Sequence, residues 1–249
     1  MVASMSDQSH TRPTVRLRAG RDGRVKAGHP WVFSNEIEMD AAAKALPPGS
    51  VVALQTSEGR GLGTGFFNPH TLIAARMLTR DSDTPIDRAF FARRFKAALA
   101  LRDRLYGKPC YRLVHAEADG LPAIVVDRMG DVLSVQLNAA GPASAEAEIV
   151  AALSDLLRPR AIVLKNDSPA RTLEGLNQET RLAAGALDGP VAIEENGVRF
   201  LVHPLEGQKT GWFYDQRDSR AFIARFASQF NEGARVLDAY CYGGGFGIT

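Results

Sequence analysis

Asp238 closes a short apolar run, Ala234 to Ala239, that carries Val236 and Leu237, and five residues further on stand Gly243, Gly244 and Gly245, with Gly247 just beyond. An acid at the end of a strand, then a glycine turn, then a helix start is a pattern suited to a nucleotide cofactor. Glycines accept positive φ and let a ligand lie against bare backbone. Amides opening a helix favour an electron-rich group, and the carboxylate is placed to accept hydrogen bonds from the ligand. Three glycines after an apolar run also occur in plain surface loops, so this pattern alone leaves both readings open.

Other residues with chemical potential are less well arranged. Cys110 and Cys241 lie far apart and make neither a disulfide framework nor a zinc pattern, and the histidines at 10, 29, 70, 115 and 203 are scattered, so no metal site is expected. Cys110 stands beside Pro109 in a turn and Cys241 sits inside the glycine loop; neither reads as an activated thiol. Glu117, Asp119 and Asp127 invite an acid/base reading, but turn capping and solvent exposure suit them better, because neither burial nor a close second charge is evident. Gly61, Gly63 and Gly65 alternate within a strand pattern and imply a bend or a close backbone approach.

The elements that must position the glycine loop are legible just before it. Asp215 is the expected N-cap of a helix with Asp218 in its first turn and Phe222, Ile223, Phe226 and Phe230 along one face; Asn231-Glu232-Gly233 stops it and the strand follows. A doubly wound domain needs further strands and helices to cover its sheet, so residues 205–249 read as the incomplete start of one, with a single strand.

Composition is that of ordinary globular material, 45% hydrophobic and 23% charged in 249 residues, without an apolar run long enough to span a membrane. A cytoplasmic protein is expected. Charge is unevenly divided: 17 Lys and Arg face 10 Asp and Glu through Cys110, against 13 and 18 beyond it. Of the 30 basic residues 24 are Arg, whose planar fork grips phosphate oxygens in pairs, so a polyanion would meet the N-terminal half.

Residues 1–13 read as a disordered leader. From 14 to 80 short strands follow (Val15 and Leu17 alternating with arginines, then Val51–Gln55, Gly61–Phe67 and Leu72–Leu78), with a short basic helix at Ala19–Lys26 and an aromatic cluster, Trp31 and Phe33, expected in the core of a small barrel. His29 takes a loop or packing role. Residues 81–87 make a linker. A central α/β unit, 88–204, opens with a helix to Tyr106 on which Phe91, Phe95, Ala98, Leu101 and Leu105 recur at spacings of three and four. Strands at 112–117, 123–128, 132–137 and 161–165, a helix at 143–158 ended by Pro159, and a hairpin about Asn196-Gly197 complete it. The fold class is α+β or α/β, multidomain.

The segment GQKTGWFYDQRDSR from Gly207, followed by VLDAYCYGGGFG, resembles the start of the catalytic domain in the bacterial 23S rRNA cytosine-C5 methyltransferase family. Family members commonly have Phe where Tyr240 stands and Thr where Gly243 stands. VRLRAGRDGRVKAGHPWVFSNEI resembles the opening of the family's RNA-binding PUA barrel, and YRLVHAEADGLPAIVVDRMGD its small central domain, so the likeness runs from about Thr14 to Thr249. It implies S-adenosylmethionine as cofactor, faced by Asp238, Tyr240 and Gly243 to Gly245 and flanked by Phe213, Gln216 and Arg217. It implies 23S rRNA as partner, met by Arg18, Arg21, Arg24 and Lys26, with Lys209 and Thr210 on the substrate side; a homodimer is a further partner it leaves open. In the family the nucleophilic cysteine lies well beyond the glycine loop, so these 249 residues are expected to be inactive by themselves, an N-terminal portion of the enzyme. Two alternatives stand beside it: a non-catalytic RNA-binding protein, and a dinucleotide-binding oxidoreductase, which would need an acid about 20 residues past the loop.

Overall fold

The computed structural model describes residues 12–207, 210–230 and 235–249. The chain divides into two compact units, Met1–Pro85 and Ile86–Thr249, the second including the segment that carries the glycine loop.

The first unit contains β1 (Thr14–Arg16), α1 (Gly23–Lys26), β2 (Trp31–Phe33), α2 (Ala41–Lys44), β3 (Ser50–Gln55), β4 (Gly61–Phe67) and β5 (Ile73–Thr79). The sheet order is β1-β3-β4-β5-β2, antiparallel except for the β1/β3 pair. Beyond β1, Leu17 bridges to Ile37, with Arg18 N donating to Glu36 O at 2.8 Å and Glu38 N to Arg16 O at 2.9 Å, so the sheet closes on itself as a barrel does. Alternation fills the interior: Val15, Leu17, Val32, Ile37, Val52, Leu54 and Phe67 are buried. It also corrects the aromatic expectation. Val32 takes the inward position of β2, leaving its neighbours Trp31 and Phe33 half-buried on the other side. His29 accepts from Trp31 N at 3.1 Å, a packing role in the loop. Gly63 has φ of 130°, and a Cβ there would lie 2.1 Å from Thr79 O, so the close approach expected of these glycines is real.

The second unit opens with α3 (Arg88–Leu105), capped by the Asp87 carboxylate, which accepts from Phe90 N at 2.8 Å. Phe91, Phe95 and Ala98 are buried, but Leu101 and Leu105 are not: the helix runs past the edge of its support. Then come β6 (Cys110–His115), β7 (Ile124–Met129), β8 (Val132–Leu137), α4 (Ala140–Ser144), α5 (Glu146–Leu157), β9 (Ala161–Asn166), α6 (Ala170–Leu173), β10 (Glu179–Gly185), β11 (Val191–Glu195) and β12 (Val198–Val202). Cys110 thus begins a strand. The helix expected at 143–158 is two helices broken at Ala145, and Arg158 ends the second in the left-handed region, φ 46°. Asn196 and Gly197, at φ 52° and 80°, make the two-residue turn of the β11/β12 hairpin.

The five-stranded sheet β10-β9-β8-β7-β6 has two unlike faces. One carries Val126, Leu133, Val135, Ile162 and Leu164, all buried. On the other, registers Arg112↔Asp127, Asp127↔Ser134 and Ser134↔Val163 align a polar band of Arg112, Asp127, Ser134, Gln136 and Lys165, beside an apolar band of Cys110, Met129, Val132 and Ala161. The apolar band packs on the hairpin, through Val191, Ile193, Phe200 and Val202, and on Trp212 and Tyr214. Buried polar groups call for hydrogen bonds, and Leu205, Thr210 and Tyr214 supply several in and beside this band, while the buried Ser134 hydroxyl has no partner among the described residues.

After residue 205 the described residues form α7 (Arg217–Ala227) and α8 (Gly245–Ile248). Asp215 is not an N-cap: it lies in a 3₁₀ turn, Tyr214–Gln216, that leads into α7. Residues 235–238 form no strand, Ala234 lies outside the described residues, and Val236 and Leu237 are 71% and 88% exposed. A strand exists only where a neighbour accepts its hydrogen bonds, and among the described residues none lies beside this run. Phe222 and Phe226 on α7, and Phe230 just beyond it, are likewise exposed. No described helix is long and apolar enough to cross a membrane.

Candidate functional site

Residues 205–207 and 210–220 lie over the polar band and are fastened there by groups whose burial makes the contacts obligatory. Leu205 O accepts from Lys165 Nζ at 2.9 Å, the Thr210 hydroxyl donates to the Asp127 carboxylate, and the Tyr214 hydroxyl donates to Arg128 O at 2.9 Å. Asp127 is fully buried and also takes both prongs of Arg112, at 2.9 and 3.0 Å. Burial alone would lower the Arg112 pKa, but the hydrogen bond and charge of Asp127 outweigh it and hold the group above its ordinary value. Asp127 is therefore not the solvent-exposed residue expected from the sequence. Asp119 is likewise committed, to Arg102 at 2.5 and 2.8 Å. Burial pushes the Tyr214 hydroxyl well above the usual tyrosine range, so it stays a neutral donor.

A second cluster holds the end of the segment against the hairpin. Glu195, 3% exposed, accepts from Arg220 Nε at 2.6 Å, Trp212 Nε1 at 3.1 Å and Arg217 Nε at 3.3 Å. The Trp212 ring lies against Phe200, centroids 4.6 Å apart, and against the Arg220 guanidinium, 4.6 Å from its centroid. Arg220 also donates to Phe213 O at 2.8 Å, which fixes the backbone beside it.

These contacts form one wall of an open cavity of about 290 Å³. It gathers Phe213 and Gln216 with Asp238, Tyr240, Gly243 and Gly245, residues the sequence joins only as two separate motifs. The loop between Asp238 and α8 places Tyr240, Tyr242 and Gly244 in the left-handed region, at φ 60°, 49° and 70°. Gly245 must lack a side chain, because a Cβ would meet Arg220 Cδ at 2.9 Å and Trp212 at 3.3 Å. Gly244 does not line the cavity; it precedes α8, and its Cβ would strike Ile248. Asp238 Oδ2 accepts from Gly247 N at 2.9 Å.

Three expected site residues lie elsewhere or cannot be placed. Arg217 turns from the cavity, donating to Cys110 O and lying 4.6 Å over the Tyr106 ring. Thr210, 1% exposed, cannot present itself to a substrate, because the buried Asp127 requires its hydroxyl. Lys209 lies outside the described residues. In the barrel Arg18, Arg21, Arg24 and Lys26 are all exposed, on the stretch from β1 through α1. Part of their capacity is used internally: Arg18 donates to Ile37 O at 3.0 Å, Arg24 lies 3.5 Å from Glu36 and 4.7 Å over Phe33, and Lys26 pairs with Asp22. Among the described residues no cluster of three or more His, Cys, Asp or Glu could hold a metal ion. Sequence reasoning missed Glu195, Trp212 and Arg220 as the frame of the cavity; only the hairpin signal before residue 198 placed Glu195 on a strand.

Residues 15–80 match the family model of the PUA-like domain. Over 238 residues the chain is 40% identical to the protein named ribosomal RNA large subunit methyltransferase I of Shewanella frigidimarina, and over 236 residues 36% identical to that of Pseudoalteromonas atlantica. These matches take in 94% of this chain but 59% and 58% of the relatives, so the chain spans about six tenths of their length. A Streptococcus mutans structure described as a candidate SAM-dependent methyltransferase is similar with a TM-score of 0.75 at 19% identity, over 95% of this chain and 59% of that one. A second candidate methyltransferase, solved as a complex with SAH, is similar with a TM-score of 0.76, also at 19% identity and with the same coverage. The architecture is therefore a PUA-like barrel followed by a methyltransferase-like α/β unit.

Proposed function

We propose that this chain carries the RNA-binding and cofactor-facing parts of an S-adenosylmethionine-dependent methyltransferase of large-subunit ribosomal RNA, with cytosine C5 of 23S rRNA as the acceptor. The observation that carries the reading is the gathering of Phe213, Gln216, Asp238, Tyr240, Gly243 and Gly245 about one cavity. The shared name of the relatives supports the reaction and the polymer, and the neighbour solved with SAH supports the cofactor.

The residues present fit such a cofactor. Gly245 leaves bare backbone on one wall, Asp238 supplies a carboxylate for hydroxyl or amine donors, and Phe213 with Trp212 supplies apolar surface. When bound, the cofactor supplies an electrophilic methyl group. Cytosine C5 is a poor nucleophile until a thiolate adds to C6. Cys110 is buried at the start of β6 and Cys241 stands exposed in the cofactor loop, so neither is assigned that task, and these 249 residues are proposed to bind ligands without turnover. The barrel supplies RNA affinity through Arg18, Arg21, Arg24 and Lys26.

Calorimetric titration of the chain with S-adenosylhomocysteine tests the reading. Saturable binding that weakens about tenfold or more in Asp238→Ala is expected, the loss of a hydrogen bond to a charged group. RNA binding without any binding of S-adenosylhomocysteine would instead make these residues an RNA-binding unit and overturn the cofactor-site reading.

A further inference from the structure

The positive charge of the N-terminal half belongs mostly to one helix. The 17 Lys and Arg and 10 Asp and Glu found through Cys110 divide into 10 and 8 in the first unit and 7 and 2 in residues 86–110, a stretch that is mainly α3. The barrel, for all its arginines, is close to neutral.

Half of the six basic residues on α3 are committed within the unit. Arg88 pairs with Asp155, Arg102 with Asp119, and the Arg94 guanidinium lies 5.4 Å from the centre of the Phe90 ring. Asp103, the one acid on the helix, accepts from the Tyr111 hydroxyl at 2.8 Å. Arg93, Lys96 and Arg104 are exposed and make no hydrogen bond or ion pair among the described residues. At 3.6 residues per turn these three fall within about 80° of one another around the helix and span about 16 Å of its length. Ala97 and Ala100 stand between them, also exposed, while Phe91, Phe95 and Ala98 are buried on the opposite side.

A row of unpaired cations separated by methyl groups suits a polyanion backbone. The cations meet phosphates and release their counterions, and the alanines let the helix approach closely without offering a group that could read a base edge. We infer that this stripe of α3 is a second RNA-backbone contact, independent of sequence, in addition to the barrel's α1 and its flank. The inference rests on the RNA half of the proposed function and not on the cofactor half. Leu101 and Leu105, exposed beside the stripe, are what an anionic membrane would use, so vesicles enter the test.

Fluorescence anisotropy of two labelled RNA hairpins of unrelated sequence, titrated with the whole chain between about 50 and 200 mM salt, reads the contact. Replacing Arg93, Lys96 and Arg104 together by alanine should flatten the log–log salt dependence by about 0.7–0.9 for each cation removed, equally for both hairpins. Alanine favours the helix, so far-ultraviolet dichroism should be unchanged. Arg93→Lys with Arg104→Lys keeps the charges and should keep the slope. Phosphatidylglycerol vesicles should bind the parent and the alanine variant alike. An unchanged slope in the alanine variant, flattening with one hairpin alone, equal flattening in the lysine variant, or vesicle binding that the alanine variant abolishes overturns the proposal. If reversing Arg21 and Lys26 flattens the slope and the alanine variant does not, the stripe falls and the RNA reading stands. A parent chain that binds neither hairpin sinks both, whereas failure of S-adenosylhomocysteine to bind leaves the stripe in place.

Discussion

Glu194 and Glu195 are neighbours on β11 in opposite surroundings, and replacing each by alanine compares a solvated ion pair with a buried one. Glu194 meets Lys108 at 3.4 Å, with both side chains about half exposed. Glu195 meets Arg220 at 2.6 Å with the two side chains 1% and 4% exposed, and also takes Arg217 and the Trp212 indole. Removing Glu195 leaves a desolvated guanidinium against Trp212 without its counter-charge, a loss of about 3–5 kcal/mol. Removing Glu194 costs about 0–1 kcal/mol. For a unit of this length each kcal/mol lowers Tm by about 2–4 °C. Thermal unfolding followed by near-ultraviolet dichroism should therefore drop by about 6–20 °C in Glu195→Ala and by at most about 4 °C in Glu194→Ala. Glu195→Leu combined with Arg220→Met should recover much of the loss, since apolar replacement of a whole buried pair is often neutral. If the two alanine variants unfold within about 1 kcal/mol of each other, Glu195 does not hold the segment as argued.

Gly63→Ala should destabilise the barrel by about 1–3 kcal/mol or unfold it, because φ of 130° and the 2.1 Å approach to Thr79 O admit no Cβ; urea unfolding of the chain reads this, with Gly20→Ala, in open space but also at positive φ, as a control for backbone strain alone. Reversing Arg21 and Lys26 to Glu should flatten the dependence of RNA affinity on salt, by about 0.7 in the log–log slope for each single-strand phosphate left without its cation; an unchanged slope would remove α1 and its flank from the RNA interface. Glu58 should titrate at about 2, its carboxylate held by the Ser57 and Thr56 hydrogen bonds. Because this pKa is depressed in the folded state, the stabilisation is complete above the ordinary glutamate range and fades as pH falls toward 2; an NMR titration near 4.5 would refute it.

The elements that local chemistry decides were legible. Asn196-Gly197 named its hairpin because both residues tolerate the positive φ they adopt, and the 3.6-residue recurrence of Phe91, Phe95 and Ala98 gave α3 to within a residue. What periodicity could not show was where support ends: Leu101 and Leu105 keep the spacing of a buried face and are 49% and 63% exposed. Strand β10, ETRLAAG, escaped notice because a sheet edge, half exposed and poor in β-branched residues, carries little pattern of its own. Asp127 was misjudged for a different reason. Its partners Arg112 and Thr210 stand 15 and 83 residues away, and no local signal marks a carboxylate as buried when what neutralises it arrives from so far along the chain.

The cofactor motif itself divides by the same logic. GQKTGWFYDQR reads as one binding signature, yet Thr210, Tyr214 and Arg217 face the sheet and hairpin while Phe213, Asp215 and Gln216 face cavities. Every third or fourth residue thus fastens the segment and residues between them line cavities, the outcome expected of an irregular stretch laid across a polar sheet surface. Substitutions at the fastening positions must change stability and affinity together, because the cavity wall moves with the segment. Gln216 and Asp238 escape that coupling: both line the cavity, and neither carries a hydrogen bond to the central sheet among the described residues. Gln216→Ala and Asp238→Ala should therefore lower S-adenosylhomocysteine affinity with Tm within about 2–4 °C of the parent, the shift that 1 kcal/mol produces. Thr210→Val, which strips a donor from a buried carboxylate, should lower Tm first and affinity as its consequence. The reverse order, affinity lost at Thr210 without loss of Tm, would return that hydroxyl to the ligand and detach the segment from the sheet.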